Sequence, residues 1–193
     1  NTTNLCKQEG TEDLNMGYDV NPQYSPDGQY IAWQSMEHDG YESDRNRLYV
    51  MNLATGEKKS VSEHFDSNVE SFIWNNDGTG LFYIGAWHGR LSIFKTDLNG
   101  IISIVNDETC DYQSIALAGS NMIAARQSMT DATEIFSIDI AKNTATRLTQ
   151  ENGHIFSQLD EVKVEERWIE TTDGQQMLTW VIYPPKFDPD KKY

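Results

Sequence analysis

Short apolar runs broken by turn residues recur along the chain, and three of them superimpose: RLYVMNLATG (47–56), RLSIFKTDLNG (90–100) and EIFSIDIAKN (134–143). Each reads as a strand followed by a turn. With Leu53, Leu98 and Ile140 aligned, Tyr49, Phe94 and Phe136 fall four residues earlier, and Asn52, Asp97 and Asp139 fall one residue earlier. The aligned positions are 45 and 42 residues apart, a period that points to a repeat architecture.

A more apolar strand precedes each segment: YIAWQS (30–35), LFYIGAW (81–87) and MIAARQS (122–128). Before each of these lies a tight turn, SPDG (25–28), NNDG (75–78) or AGSN (118–121). Proline presets φ, Asp or Asn caps its own backbone, and Gly takes positive φ, as a hairpin connection needs. A poorer strand closes each unit: KKSVS (58–62), IISIV (101–105) and ATRLT (145–149). Four strands per repeat of about 40 to 45 residues predict an all-β fold, a partial β-propeller of about three four-stranded antiparallel blades with the inner strands most apolar. A β-sandwich would also show many short strands, but not the same aromatic and Asp/Asn offsets three times. Helical periodicity is essentially absent. The opening TTNLCKQEG resembles the outer strand of a preceding blade, so residues 1–152 are expected to form that strand plus three blades.

Composition and charge narrow the partners. The chain has 193 residues, 38% of them hydrophobic and 11% aromatic, enough for one sizeable core. Its 30 acidic and 15 basic side chains make a field that repels phosphate and attracts cations, so nucleic acid is not an expected partner. No apolar run approaches the roughly 20 residues that cross a bilayer, and no basic start with an apolar stretch marks a signal peptide; a membrane is not expected either. Cys6 and Cys110 are expected as unpaired thiols, since they form neither a disulfide scaffold nor a metal-ligand pattern. Asn1-Thr2-Thr3 matches a glycosylation sequon, a weak signal.

After the last repeat comes FSQLDEVKVEERWIETTDGQQMLTWVIYPPKFDPDKKY (156–193), a strand pair turning at Thr172-Asp173-Gly174 and then a Pro-Pro corner. Together with Ser25 to Gly28, Asn52 to Gly56 and Pro184 to Tyr193, this is similar to the prolyl oligopeptidase family of serine peptidases, most of all to its acylaminoacyl-peptidase and dipeptidyl-peptidase branch. The resemblance implies that residues 153–193 are interdomain strands leading into an α/β-hydrolase domain beyond Tyr193. That domain would carry the catalytic Ser, Asp and His, and the propeller would restrict access and admit peptides. It also implies export to a bacterial periplasm or secretion, with the cytoplasm as the alternative. A TolB-like propeller that only binds protein partners is the competing reading.

Candidate chemistry within the 193 residues is sparse. A hydrolase of this kind needs a Gly-x-Ser-x-Gly elbow, and none occurs; no catalytic residue is expected here. His38, His64, His88 and His154 are scattered and read as solvated loop positions. Asn75-Asn76-Asp77-Gly78 lacks the alternating ligands and distant Glu of a calcium loop, and no metal or cofactor is expected. Trp33, Trp74 and Trp87 read as core packing. One segment breaks the repeat: residues 36–46, MEHDGYESDRN, fill a connection that takes four to six residues in the other units. It concentrates Glu37, Asp39, Glu42 and Asp44, and long loops on a rigid scaffold carry binding residues. Because peptidases resembling this chain select a free amino terminus, Glu37 and Glu42 are the candidate substrate-binding residues.

Overall fold

The computed structural model describes residues 4–6 and 17–193. Three four-stranded antiparallel sheets follow one another along the chain. The first contains β1 (Tyr18–Tyr24), β2 (Tyr30–Met36), β3 (Arg47–Asn52) and β4 (Lys58–Ser60). The second contains β5 (Val69–Trp74), β6 (Gly80–Trp87), β7 (Arg90–Asp97) and β8 (Ile102–Asn106). The third contains β9 (Asp111–Ala118), β10 (Asn121–Ser128), β11 (Asp131–Asp139) and β12 (Thr144–Arg147). In each, the strands lie in sequence order, as in a propeller blade. A short α1 (Gly153–Phe156) then leads to the hairpin β13 (Val164–Glu170) and β14 (Gln176–Ile182).

The turn chemistry works as the sequence suggests. Ser25 Oγ donates to Asp27 Oδ1 at 2.6 Å and accepts from the Tyr30 amide at 2.9 Å, while Gly28 sits at φ +69°. In the second blade, Asp77 Oδ1 takes the Thr79 amide at 3.0 Å and Asn75 Oδ1 takes the Gly80 amide at 3.1 Å.

Side chains alternate across each sheet, so every blade offers one face to each neighbour. Ala32, Leu48 and Val50 of the first blade meet Leu81, Tyr83 and Phe94 of the second, with Val61 and Phe65 from the crossing between them. On the opposite face of the second blade, Phe82, Ile84 and Ile93 meet Tyr112, Met122, Ala124 and Ile138 of the third. The outer face of the first blade buries Ile31, Trp33 and Met51, with Cys6 packed against them. Gly85 is small for a reason, since a Cβ there would lie 2.5 Å from the Phe65 ring.

Several expectations change. The second strands are more buried than the fourth, as the apolar grading predicts, whereas the first strands β1 and β9 are largely exposed. A second strand has strands on both edges, whereas a first strand keeps one open edge. Trp33 and Trp74 are buried as expected, but Trp87 is 38% exposed, because it ends β6 where the sheet runs out. Residues 153–156 form one helical turn. Of the stretch read as a preceding outer strand, only residues 4–6 are described, and they form no strand; the rest of it and the Asn1 sequon lie outside the described residues. Cys6 and Cys110 are both free thiols.

Candidate functional site at one end of the blades

The connections between second and third strands, the crossings between blades and the β13–β14 hairpin all meet at one end of the sheets. There the extended loop of the first blade is tied down at its C-terminal side. The Asn46 carbonyl accepts from the Val69 amide at 2.8 Å, Asn46 Nδ2 donates to the Val69 carbonyl at 3.1 Å, and the Asn46 amide donates to Asn68 Oδ1 at 2.8 Å. Arg45 Nη1 donates to the Phe65 carbonyl at 2.8 Å. Within the loop, His38 Nδ1 lies 2.8 Å from Asp44 Oδ2.

The two candidate carboxylates differ. Glu37 Oε2 accepts from Arg47 Nη2 at 3.0 Å, and the same guanidinium lies 3.6 Å from Glu63, so an incoming ammonium at Glu37 would compete with an arginine already in place. Glu42 is exposed and pairs with no cation among the described residues. Asp44 is drawn to His38, and the four loop carboxylates are not brought together into one cluster: among the described residues no group of three or more His, Cys, Asp and Glu could hold a metal.

What the sequence did not announce is a latch repeated in each blade. A charged residue near the start of the third strand grips the crossing that follows the fourth. In the first blade Arg45 and Arg47 hold residues 63–65. In the second, buried Arg90 donates to the Glu108 carbonyl at 2.9 Å and to Asp107 Oδ1 at 3.0 Å. In the third the sign is inverted. Buried Glu134 accepts from Thr149 Oγ1, from the Asn152 amide at 2.9 Å and from the Glu151 amide at 3.2 Å. These bonds, Thr149 foremost, hold its carboxyl well below the usual range, at about 2. The signal was there in Arg47, Arg90 and Glu134, but opposite charges in equivalent roles hide the equivalence.

The β13–β14 hairpin docks on the β6–β7 turn. His88 and Gly89 both have positive φ, +51° and +71°, the pattern of a two-residue I′ connection, shorter than the four to six residues expected, as is the one between β10 and β11. His88 stacks on Trp87 at 4.5 Å and meets the Trp168 edge at 5.1 Å, so it is not the solvated loop position expected. Trp180 Nε1 donates to the His88 carbonyl at 3.3 Å, and the Arg90 guanidinium lies 5.8 Å from the Trp180 ring centre. Further along the hairpin, Glu165 accepts from Arg167 Nε at 2.8 Å and from the Tyr183 hydroxyl at 2.7 Å; these, with Lys163, hold its carboxyl low, at about 2. The latch, the hairpin and the insertion thus occupy the same end of the blades, and none of them supplies a nucleophile beside a base.

Comparison with known proteins adds what geometry leaves open. A Porphyromonas endodontalis protein named dipeptidyl-peptidase 5 is 43% identical over all 193 residues, and its Porphyromonas gingivalis counterpart is 39% identical over 179 residues, 92% of this chain. The chain belongs to the prolyl oligopeptidase family. It spans about a quarter of the length of these curated relatives, 27% and 26%. Among solved structures of the family fold, Pyrococcus horikoshii acylaminoacyl peptidase superimposes with a TM-score of 0.68 over 91% of this chain and 26% of its own, at 18% identity. The β-propeller domain of the trilobed protease from Pyrococcus furiosus gives 0.56 over 74% of this chain and 40% of its own, at 20% identity. At such identities the likeness speaks for the propeller fold of this family member alone. No protein-family model matches the chain.

Proposed function

We propose that these residues form the part of a dipeptidyl peptidase's propeller that borders its hydrolase domain, where they help to gate peptide access and contribute no catalytic group. The observation that carries the reading is the 43% identity to a dipeptidyl-peptidase 5 that runs through all three blades and the hairpin to Tyr193. The docked hairpin supports it, because a hairpin held against the middle blade by Trp180 and Trp168 gives a following domain a fixed exit direction. The nucleophile, acid and histidine belong to that following domain, and the partners are the peptide and the domain itself. The working compartment is the periplasm or the exterior.

The deciding test pairs two samples. Residues 1–193 alone give no labelling by a fluorophosphonate probe and no turnover of dipeptidyl substrates, whereas the complete gene product gives both. Stoichiometric labelling of a serine among the 193 residues sinks the reading, and a gene that continues into no Gly-x-Ser-x-Gly strand-turn-helix leaves the TolB-like scaffold in its place. Fractionation of the host cell tests the compartment.

Within this reading, Glu42 is the stronger of the two candidate contacts for a peptide's amino terminus, since Glu37 already holds Arg47. A carboxylate that meets an ammonium under the cover of the following domain would gain about 1.5–3 kcal/mol. In the complete protein, Glu42→Gln should lower kcat/KM for free-amine peptides about tenfold relative to N-acylated ones, and Glu37→Gln less. Equal selectivity in both variants and the wild type makes the insertion a solvated loop.

A further inference from the structure

The first strand of every blade carries a β-bulge. In β1 the pairing jumps from Val20↔Gln34 to Gln23↔Ala32, so Asn21 and Pro22 face one partner residue. In β5 it jumps from Val69↔Gly85 to Ser71↔Ile84, leaving Glu70 extra. In β9 it jumps from Tyr112↔Arg126 to Ser114↔Ala125, leaving Gln113 extra. Bulges re-aim side chains and leave main-chain groups unpaired, and they are frequent beside binding sites. Each strand here is also an edge strand, and on β1 and β5 side chains already meet main-chain carbonyls beside the bulges: Gln34 and Asn46 on Val69, Gln23 on Phe72 and Trp74 on Gln23.

Between the first two bulges lies a cleft of about 400 Å³, lined by Asn21, Pro22, Gln23, Gln34, Ser71 and Phe72. Its shape is fixed by side-chain amides. Gln34, 2% exposed, donates to the Val69 carbonyl at 2.5 Å and accepts from Asn21 Nδ2 at 2.7 Å. Gln23 bridges the two strands, donating to the Phe72 carbonyl at 3.2 Å while its own carbonyl accepts from Trp74 Nε1 at 3.1 Å. Asn21 holds a left-handed φ of +55°, which turns its carboxamide toward Gln34. Val69, the anchor of Gln34, is also the residue that Asn46 of the insertion clamps.

We infer that this cleft seats a neutral, extended peptide segment through its main-chain amides. The lining is three carboxamides, one hydroxyl and two apolar flanks, with no charged side chain. A carboxamide offers the planar donor-and-acceptor pair of a peptide bond, so the cleft matches a peptide main chain and offers no cation to balance a phosphate or carboxylate. Neither Asn21 Oδ1 nor the Ser71 hydroxyl has a hydrogen-bond partner among the described residues, which leaves one acceptor and one donor for the guest. Because the Val69, Phe72 and Gln23 carbonyls are already engaged, the side chains of Asn21 and Ser71, rather than strand addition at the edge, would hold the guest. The inference deepens the proposed gating of peptides and rests on it for biological meaning, but not for its test.

The test is an NMR titration of the protein with N-acetyl-trialanine amide, an uncharged peptide, against tetraethylene glycol as a guest without amides. Shifts confined to residues 21–23, 34 and 71–72 with the peptide alone are the expected result. Asn21→Gly keeps the left-handed backbone and deletes the carboxamide, and it should weaken binding roughly threefold to tenfold, as should Ser71→Ala. Shifts elsewhere, shifts of equal size with the glycol, or both variants binding like the wild type while keeping the wild-type spectrum would overturn the proposal. Peptidase activity in the complete gene product without these shifts removes the cleft and leaves the proposed function; the shifts without activity do the reverse.

Discussion

The Trp180 indole N–H donates to the carbonyl of His88, 92 residues earlier, at 3.3 Å. This single bond joins β14 to the turn of the middle blade, and the same turn is pressed so close that a Cβ on Gly89 would stand 3.0 Å from Trp180 Nε1.

Trp180→Phe keeps an aromatic ring and removes the donor. The loss of one neutral hydrogen bond costs about 0.5–1.5 kcal/mol, concentrated in the docking of the hairpin. Hydrogen exchange should quicken at the amides of β13 and β14 and not in β6. Gly89→Ala should be worse, because it adds the clash to a φ of +71° that alanine resists.

Gly85→Ala drives a methyl into the Phe65 ring, which itself packs on Tyr83 and Phe94 at 5.3 and 4.7 Å. Overpacking of this kind costs about 1–3 kcal/mol. The melting temperature should fall, and a following Phe65→Leu change should recover part of it.

The Glu134 latch makes the exit of the third blade sensitive to acid. Its carboxyl is lowered from 4.5 to about 2 in the folded chain, so its contribution is complete above the unfolded value and fades as pH falls through 4.5 toward 2. Glu134→Gln should be less stable than the wild type at pH 7, and the gap should close over that window. Thermal melts at pH 7, 4 and 2.5 measure it; a gap that is constant or widens toward low pH removes the latch as the cause.

Arg90→Lys keeps the charge but loses the planar fork that serves residues 107 and 108 together. Charge-assisted bonds of this type are worth about 1.5–3 kcal/mol. Proteolysis at the crossing between the second and third blades should rise in the variant, while the crossing at residues 63–65 stays protected.

How far the sequence could be read depends on what each residue faces. The second strands were legible because apolar runs such as LFYIGAW face neighbours on both sides, and the turns because Asp27, Asp77 and Asp97 cap their own loops. The first strands were not. YDVNPQY holds a proline and a left-handed asparagine because β1 has an open edge and a bulge, which erase the period-two signal. The insertion at residues 36–46 was visible by length, but the occupation of Glu37 by Arg47 depends on how β2 and β3 pair, which spacing alone does not express. Trp87 read as core because its strand is apolar, although it is the last residue of β6, where the sheet ends at the two-residue turn.

The inverted latch also limits how freely the repeats could be exchanged. Arg90 grips a crossing by its carbonyls, and Glu134 grips one by its amides. A second blade spliced into the third position would bring a guanidinium to a segment that presents N–H groups, and a third blade in the second position would set a carboxylate against carbonyl oxygens. Either swap would bury an unpaired charge. The three blades therefore have addresses as well as a common pattern, and a shuffled chimera should fail at its crossings before it fails in its cores.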